Sequence, residues 1–155
     1  MKNTLIIKKL IKKNISISVA ESCTGGLLSA KITSVPNSSK VFNLGIVCYS
    51  NQSKKNILKI KNKNLNKYGA VSLQICKQML ENLYKLSKSN LCVTTTGIAG
   101  PGGGTKIKPV GLVFVGIKYK KKTQIHMFNF KKNFTRKKIQ NSTVNKIFKL
   151  ISLII

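Results

Sequence analysis

Ser16-Ile17-Ser18-Val19-Ala20-Glu21-Ser22-Cys23-Thr24-Gly25-Gly26 is the stretch that decides the fold. Its first five residues alternate in polarity and predict a strand. The strand runs straight into a polar, glycine-bearing turn. Leu27 to Thr33 then predicts a helix starting near Thr24. Outward from that stretch, Leu5, Ile6, Leu10 and Ile11 predict a preceding helix over about 4–13. After the turn Pro36-Asn37-Ser38-Ser39, Phe42 to Ser50 predicts a second strand. Short helices are expected over 51–59 and 63–68. A longer one follows Ser72 as N-cap, with Ile75, Met79, Leu80, Leu83 and Leu86 as its buried stripe. Leu91 to Thr96 predicts a buried strand, 110–119 and 123–130 a hairpin over Lys120-Lys121-Lys122, and 135–151 a last helix. Strands alternate with helices and finish in a hairpin. The expected fold is a three-layer α/β/α sandwich with a mixed sheet, a single domain over 1–155.

The composition restricts the chemistry. The 155 residues hold 29 Lys and Arg against two acids, Glu21 and Glu81, with one His and no Asp. No Ser-His-Asp triad can be assembled, and a two-carboxylate mechanism would have only Glu21 and Glu81. Carboxylate-bound magnesium is poorly served. His126 stands alone, and the four cysteines form no C-x-x-C pair, so no metal site is expected. The cysteines read as free thiols of a reducing compartment, which predicts a cytoplasmic protein. Lysines interrupt the apolar start of the chain, so neither a secretory signal nor a membrane span is expected.

A net charge of +27 predicts salt-sensitive attraction to polyanions. The lysines are scattered through every segment, and no nucleic-acid-binding motif accompanies them, so no specific nucleic-acid partner is expected. Asn, Ile and Lys are what AT-rich codons encode, and the charge reads mainly as a solvated surface.

Three segments could carry chemistry. The turn Ser22-Cys23-Thr24-Gly25-Gly26 leads into a helix, whose N-terminal N–H groups suit an anion such as phosphate or a developing oxyanion. Thr94-Thr95-Thr96-Gly97-Ile98-Ala99-Gly100-Pro101-Gly102-Gly103-Gly104 follows a core strand, where open α/β sheets hold their ligands. It is neither a Walker A loop nor a dinucleotide fingerprint. Ser38-Ser39 precedes Tyr49-Ser50-Asn51-Gln52-Ser53-Lys54, and a serine nucleophile needs a base. With one His and no Asp, a lysine of depressed pKa is the natural candidate. Lysines are so frequent that composition leaves the pairing open. Cys23 is the rival nucleophile. Arg136, the only arginine, offers a bidentate fork that lysine cannot copy.

Together these motifs resemble the CinA C-terminal domain family, whose stand-alone members include nicotinamide-nucleotide amidohydrolase. The resemblance spans roughly residues 3–151. It rests on Val19 to Gly26, Ser38-Ser39, Tyr49-Ser50-Asn51 with Lys54, Tyr68 to Ser72, Thr96 to Pro101 and Lys108-Pro109-Val110-Gly111. It implies hydrolysis of the carboxamide of nicotinamide mononucleotide (NMN) by a Ser/Lys mechanism, without a cofactor. By the resemblance, Ser39 is the nucleophile, Lys54 its base, and Tyr49 an aid to proton transfer. Ser22, Thr24, Gly25, Gly26, Thr96, Gly97, Gly100 and Arg136 support or bind the nucleotide substrate. Family members can self-associate. The chain departs from the family pattern at Asn37, Gln52 and Gln140, which bears on rate and affinity. The alternatives are a CinA-like nucleotide-binding protein with weak or lost activity and, further off, a basic nucleic-acid-associated protein.

Overall fold

The computed structural model describes residues 2–155. Five strands form one sheet: β1 (Ile17–Glu21), β2 (Phe42–Val47), β3 (Leu91–Gly97), β4 (Leu112–Tyr119) and β5 (Lys122–Asn129). Their spatial order is β2-β1-β3-β4-β5. β1 runs parallel to β2 and β3, while β4 is antiparallel to both its neighbours, so the sheet is mixed.

Six helices cover the sheet: α1 (Lys2–Lys12), α2 (Leu27–Thr33), α3 (Asn51–Asn56), α4 (Asn62–Tyr68), α5 (Leu73–Ser87) and α6 (Arg136–Ser152). Side chains of successive strand residues point to opposite faces, and this alternation divides the core in two. Ile17, Val19, Leu91 and Val93 pack with Ile7 and Leu10 of α1, Leu28 and Ile32 of α2, and Ile147 and Phe148 of α6. Ala20, Ile46, Cys48 and Cys92 face the other way, against Ile75, Met79, Leu80 and Leu83 of α5 and Leu65 of α4. The result is the expected three-layer α/β/α sandwich.

Local chemistry trims several predicted elements. α2 begins at Leu27 rather than near Thr24, because Gly25 and Gly26 hold φ of 60° and 95°, which no helix continues. α3 opens where Ser50 and Ser53 form a reciprocal capping box. Ser72 caps α5 as the sequence predicts, its side chain accepting from the Ile75 N–H. No described helix is long and apolar enough to cross a membrane.

The carboxyl ends of the three parallel strands, Glu21, Val47 and Gly97, lie at one end of the sheet. The chain leaves β1 toward β2 on one side, and β3 flanks β1 on the other. Such a switch of direction opens a crevice beyond the strand ends.

Candidate active site

Lys54 is among the largest fully buried side chains of the described residues, at 1% exposure. The capping box that starts α3 points it back under the end of β2. Its Nζ donates to Ser22 Oγ at 3.0 Å, to the Cys48 carbonyl at 2.9 Å and to the Tyr49 carbonyl at 3.3 Å. No carboxylate forms an ion pair with it; the molecule's one described salt bridge joins Lys77 and Glu81 on the surface of α5. Burial therefore pushes the Lys54 amine below its ordinary range.

Strand alternation explains why Ser22 is the serine that meets this lysine. Glu21 ends β1 facing α2, so Ser22, one residue on, turns to the opposite face, where Cys48 and Lys54 lie. Ser39 is elsewhere. It is exposed, in a single 3-10 turn over Ser38–Lys40 that precedes β2. Tyr49 and Lys54 follow the other end of that strand. At roughly 3.3 Å per residue, the six residues of β2 alone separate the two ends by about 17 Å. Within one chain Lys54 cannot act as base for Ser39, and the expected Ser39–Lys54 pair is replaced by Ser22–Lys54.

The turn that carries Ser22 is braced from β3. Ser22 N–H donates to the Thr95 carbonyl at 3.1 Å and to Thr95 Oγ1 at 3.3 Å, and Thr24 Oγ1 lies 2.9 Å from Thr95 Oγ1. Thr96, expected in this role, points to the other face and donates to the Ala70 carbonyl at 2.8 Å. The glycine motif points to Thr96. The two-residue period of β3 was the signal that singles out Thr95.

The helix terminus predicted to receive an anion is already filled. The Glu21 carboxylate, fully buried, accepts from the N–H groups of Gly26 (3.1 Å), Leu28 (3.0 Å) and Ser29 (2.8 Å), and from Ser29 Oγ (2.7 Å). The chain supplies its own anion at the start of α2. Among the described residues, the N–H groups of Cys23 and Thr24 donate to no other residue. They are the main-chain donors this turn leaves over.

Tyr49 also differs from expectation. It meets Lys54 through its main-chain carbonyl, while its phenol oxygen accepts from the Arg136 guanidinium. Arg136 opens α6 behind its Thr135 cap and also donates to the Gly100 carbonyl at 2.9 Å. It thereby stands between two open depressions. One is lined by Gly102, Gly103, Lys106, Lys132 and Phe134, the other by Thr24, Gly25, Lys31, Lys137 and Gln140. Gln140 donates to the Cys23 carbonyl at 3.0 Å, a further brace on the Ser22 turn.

Gly97 is held for packing as well as for access: a Cβ there would lie 2.7 Å from the Leu112 carbonyl oxygen. Cys23 is buried and its thiol is pushed up to about 12 by desolvation, which removes the thiolate a cysteine nucleophile requires. Among the described residues, no three His, Cys, Asp or Glu side chains come together as a metal would need.

The arrangement is an α/β sandwich domain with a buried serine–lysine pair at the switch point of its sheet. The chain belongs to the CinA family, and the CinA C-terminal domain matches it over residues 2–155. It is 53% identical over 121 residues to a protein of Caldanaerobacter subterraneus subsp. tengcongensis named "Putative competence-damage inducible protein", covering 78% of this chain and 29% of that one. It is 48% identical over 142 residues to a CinA-like protein of Endomicrobium trichonymphae, covering 92% of this chain and 33% of that one. The chain thus spans about a third of the length of the curated relatives it matches. The crystal structure of competence/damage inducible protein CihA from Agrobacterium tumefaciens superposes with a TM-score of 0.91 at 33% identity, covering 99% of this chain and 95% of that one.

Proposed function

We propose that this chain is an amide hydrolase of the serine–lysine type and that its substrate is NMN, converted to nicotinate mononucleotide and ammonia. The observation that carries the reading is the buried Lys54 amine 3.0 Å from Ser22 Oγ, with burial favouring its neutral form. A neutral amine accepts the hydroxyl proton, and this activates a serine that has no histidine beside it.

In the first half-reaction the Ser22 proton passes to Lys54 Nζ as Oγ attacks the carboxamide carbon. The Cys23 and Thr24 N–H groups are the donors offered to the oxyanion. Lys54 returns its proton to the departing nitrogen, the C–N bond breaks, and ammonia leaves an acyl-Ser22. In the second half, water gives a proton to Lys54 and attacks the ester. Collapse frees the carboxylate product and restores the Ser22 hydroxyl.

The Cys48 and Tyr49 carbonyls hold the amine in line through both halves. Arg136, with Lys106 and Lys132 on the same depression, supplies the cations for the nucleotide phosphate. The reading is tested by ammonia release from NMN by the purified chain, set beside Ser22→Ala. Turnover in the parent and none in the variant is the expected result. Tight NMN binding without ammonia from the parent would leave a nucleotide-binding protein in place of an enzyme.

A further inference from the structure

The end of the sheet farthest from Lys54 holds a cavity that the proposed reaction does not use. β4 and β5 meet there in a two-residue turn, Lys120-Lys121, with Tyr119 paired to Lys122 and Ile117 to Gln124. Residues paired across two strands share a face of the sheet. Here it is the face on which α6 lies, because Val113, Val115 and Ile117 pack in one core with Ile147 and Ile151. The helices nearest to α6 are α1 and α2, and a gap remains between its carboxyl end and the hairpin. That gap is a cavity of about 690 Å³. Its apolar wall is Ile117, Tyr119, Leu153 and Ile154, and the exposed Lys120, Lys121 and Lys122 complete it. Small-molecule pockets span roughly 300–1,000 Å³ and combine apolar walls with a few polar groups. Leu153 is 73% exposed, apolar surface that a bound chain would cover.

The three lysines have no acid to answer them. Of the two acids in the chain, Glu21 is held by the α2 N–H groups at the opposite end of the sheet. Glu81 lies on α5, across the sheet, beside Lys77. Lysine stems lie along apolar surface while their ammonium groups stay in water. An apolar wall under an ammonium cluster therefore matches a molecule with an aliphatic chain and an anionic head. We propose that this cavity binds a single-chain amphiphilic anion of the fatty-acid class, its chain against Ile117, Tyr119, Leu153 and Ile154 and its head among Lys120, Lys121 and Lys122. The site is separate from the Ser22–Lys54 pair. Tyr119 lies opposite Leu91, the first residue of β3, while Gly97, the last, is at the reactive end. At roughly 3.3 Å per residue, β3 holds the two ends about 20 Å apart.

Calorimetric titration of the purified chain with decanoate below its micelle concentration, in about 0.15 M NaCl, tests the proposal. One saturable site is expected, with a dissociation constant below about 1 mM and a negative heat-capacity change. Acetate has the head without the chain, and decyltrimethylammonium has the chain under a cationic head. Each is expected to bind at least about 10-fold more weakly. Lys121→Gln combined with Lys122→Gln raises the decanoate constant at least about 5-fold. Lys61→Gln combined with Lys63→Gln, an equal loss of charge on α4, leaves it within about twofold. In amide NMR spectra of the parent, decanoate is expected to shift residues 117–124 and 153–154 and to leave Ser22 and Arg136 in place. The absence of saturable decanoate binding overturns the proposal. So do equal affinities for decanoate and decyltrimethylammonium, shifts centred on Arg136, or equal responses to the two lysine pairs. Sedimentation with phosphatidylglycerol vesicles without decanoate binding assigns the lysines to a bilayer surface and overturns the cavity site as well. The NMR measurement uses the parent alone and decides the matter if a variant does not fold. None of these measurements uses activity, so absence of ammonia release would end the NMN reading and leave this site standing.

Discussion

The two glycine turns of the cleft look alike in sequence and do opposite things with their backbones. At Gly25-Gly26 the chain is closed: Glu21 takes up the N–H groups of Gly26, Leu28 and Ser29. The loop from Gly100 to Gly104 is open, and a Cβ built on Gly102 would meet nothing within 4 Å. The closed turn carries Ser22, the proposed nucleophile, which Lys54 of α3 meets from outside the turn, and the open loop borders a depression in which a ligand has room. A glycine-rich turn before a helix therefore marks an anion site only if no carboxylate upstream folds back on it.

That contrast can be broken most severely at the closed turn. Ser22→Ala and Lys54→Met are each expected to lower kcat for NMN hydrolysis at least about 10³-fold, with nucleotide affinity changed little. Ammonia release at the parent rate by either variant would remove the reaction from this turn.

At the open loop the effect is expected in binding. Arg136→Lys loses the guanidinium fork and raises KM roughly 10-fold, with kcat nearly unchanged. Steady-state kinetics checks the split, and a fall in kcat alone would move Arg136 from the substrate to the reacting atoms.

Glu21→Gln sharpens the structural half of the comparison. It exchanges charge-assisted hydrogen bonds for neutral ones and sets an amide N–H₂ against donors. A loss of about 1–3 kcal/mol in urea unfolding is expected. A variant as stable as the parent would mean that the closed turn holds without its carboxylate.

The smallest effect is one of pH. Lys54 has a folded pKa below its unfolded value of 10.5, so between the two values the unfolded chain binds the extra proton. The Lys54 contribution to stability therefore rises with pH through that window and levels off above about 10.5. The stability of the parent relative to Lys54→Met should climb accordingly in denaturation series on the alkaline side. A difference that is flat with pH would mean that the amine titrates equally in both states.

Much of this was legible in the sequence because it is local. The strand–turn–helix period, the Ser72 cap and the hairpin all depend on neighbours within a few residues, and each lies within a few residues of its predicted position. The members of the site were also legible: Ser22, Lys54, Tyr49, Gly100 and Arg136 were all singled out. Their pairing was not. Ser39 is nearer to Lys54 along the chain than Ser22 is, yet the strand order β2-β1 brings Ser22 in and a full strand holds Ser39 away. Thr95 and Thr96 differ by one position, and only the pleat decides which of them faces the turn. The role of Glu21 was not legible, because its partners are main-chain N–H groups, which carry no mark in the sequence.

The burial of Cys23 bears on how such a site could be inhibited. Its thiol is pushed up to about 12 and shielded from solvent, so maleimides and acrylamides would pass over this neighbour of the proposed nucleophile. Boronates and fluorophosphonates, which capture an activated hydroxyl, are the warheads that the proposed role of Ser22 calls for.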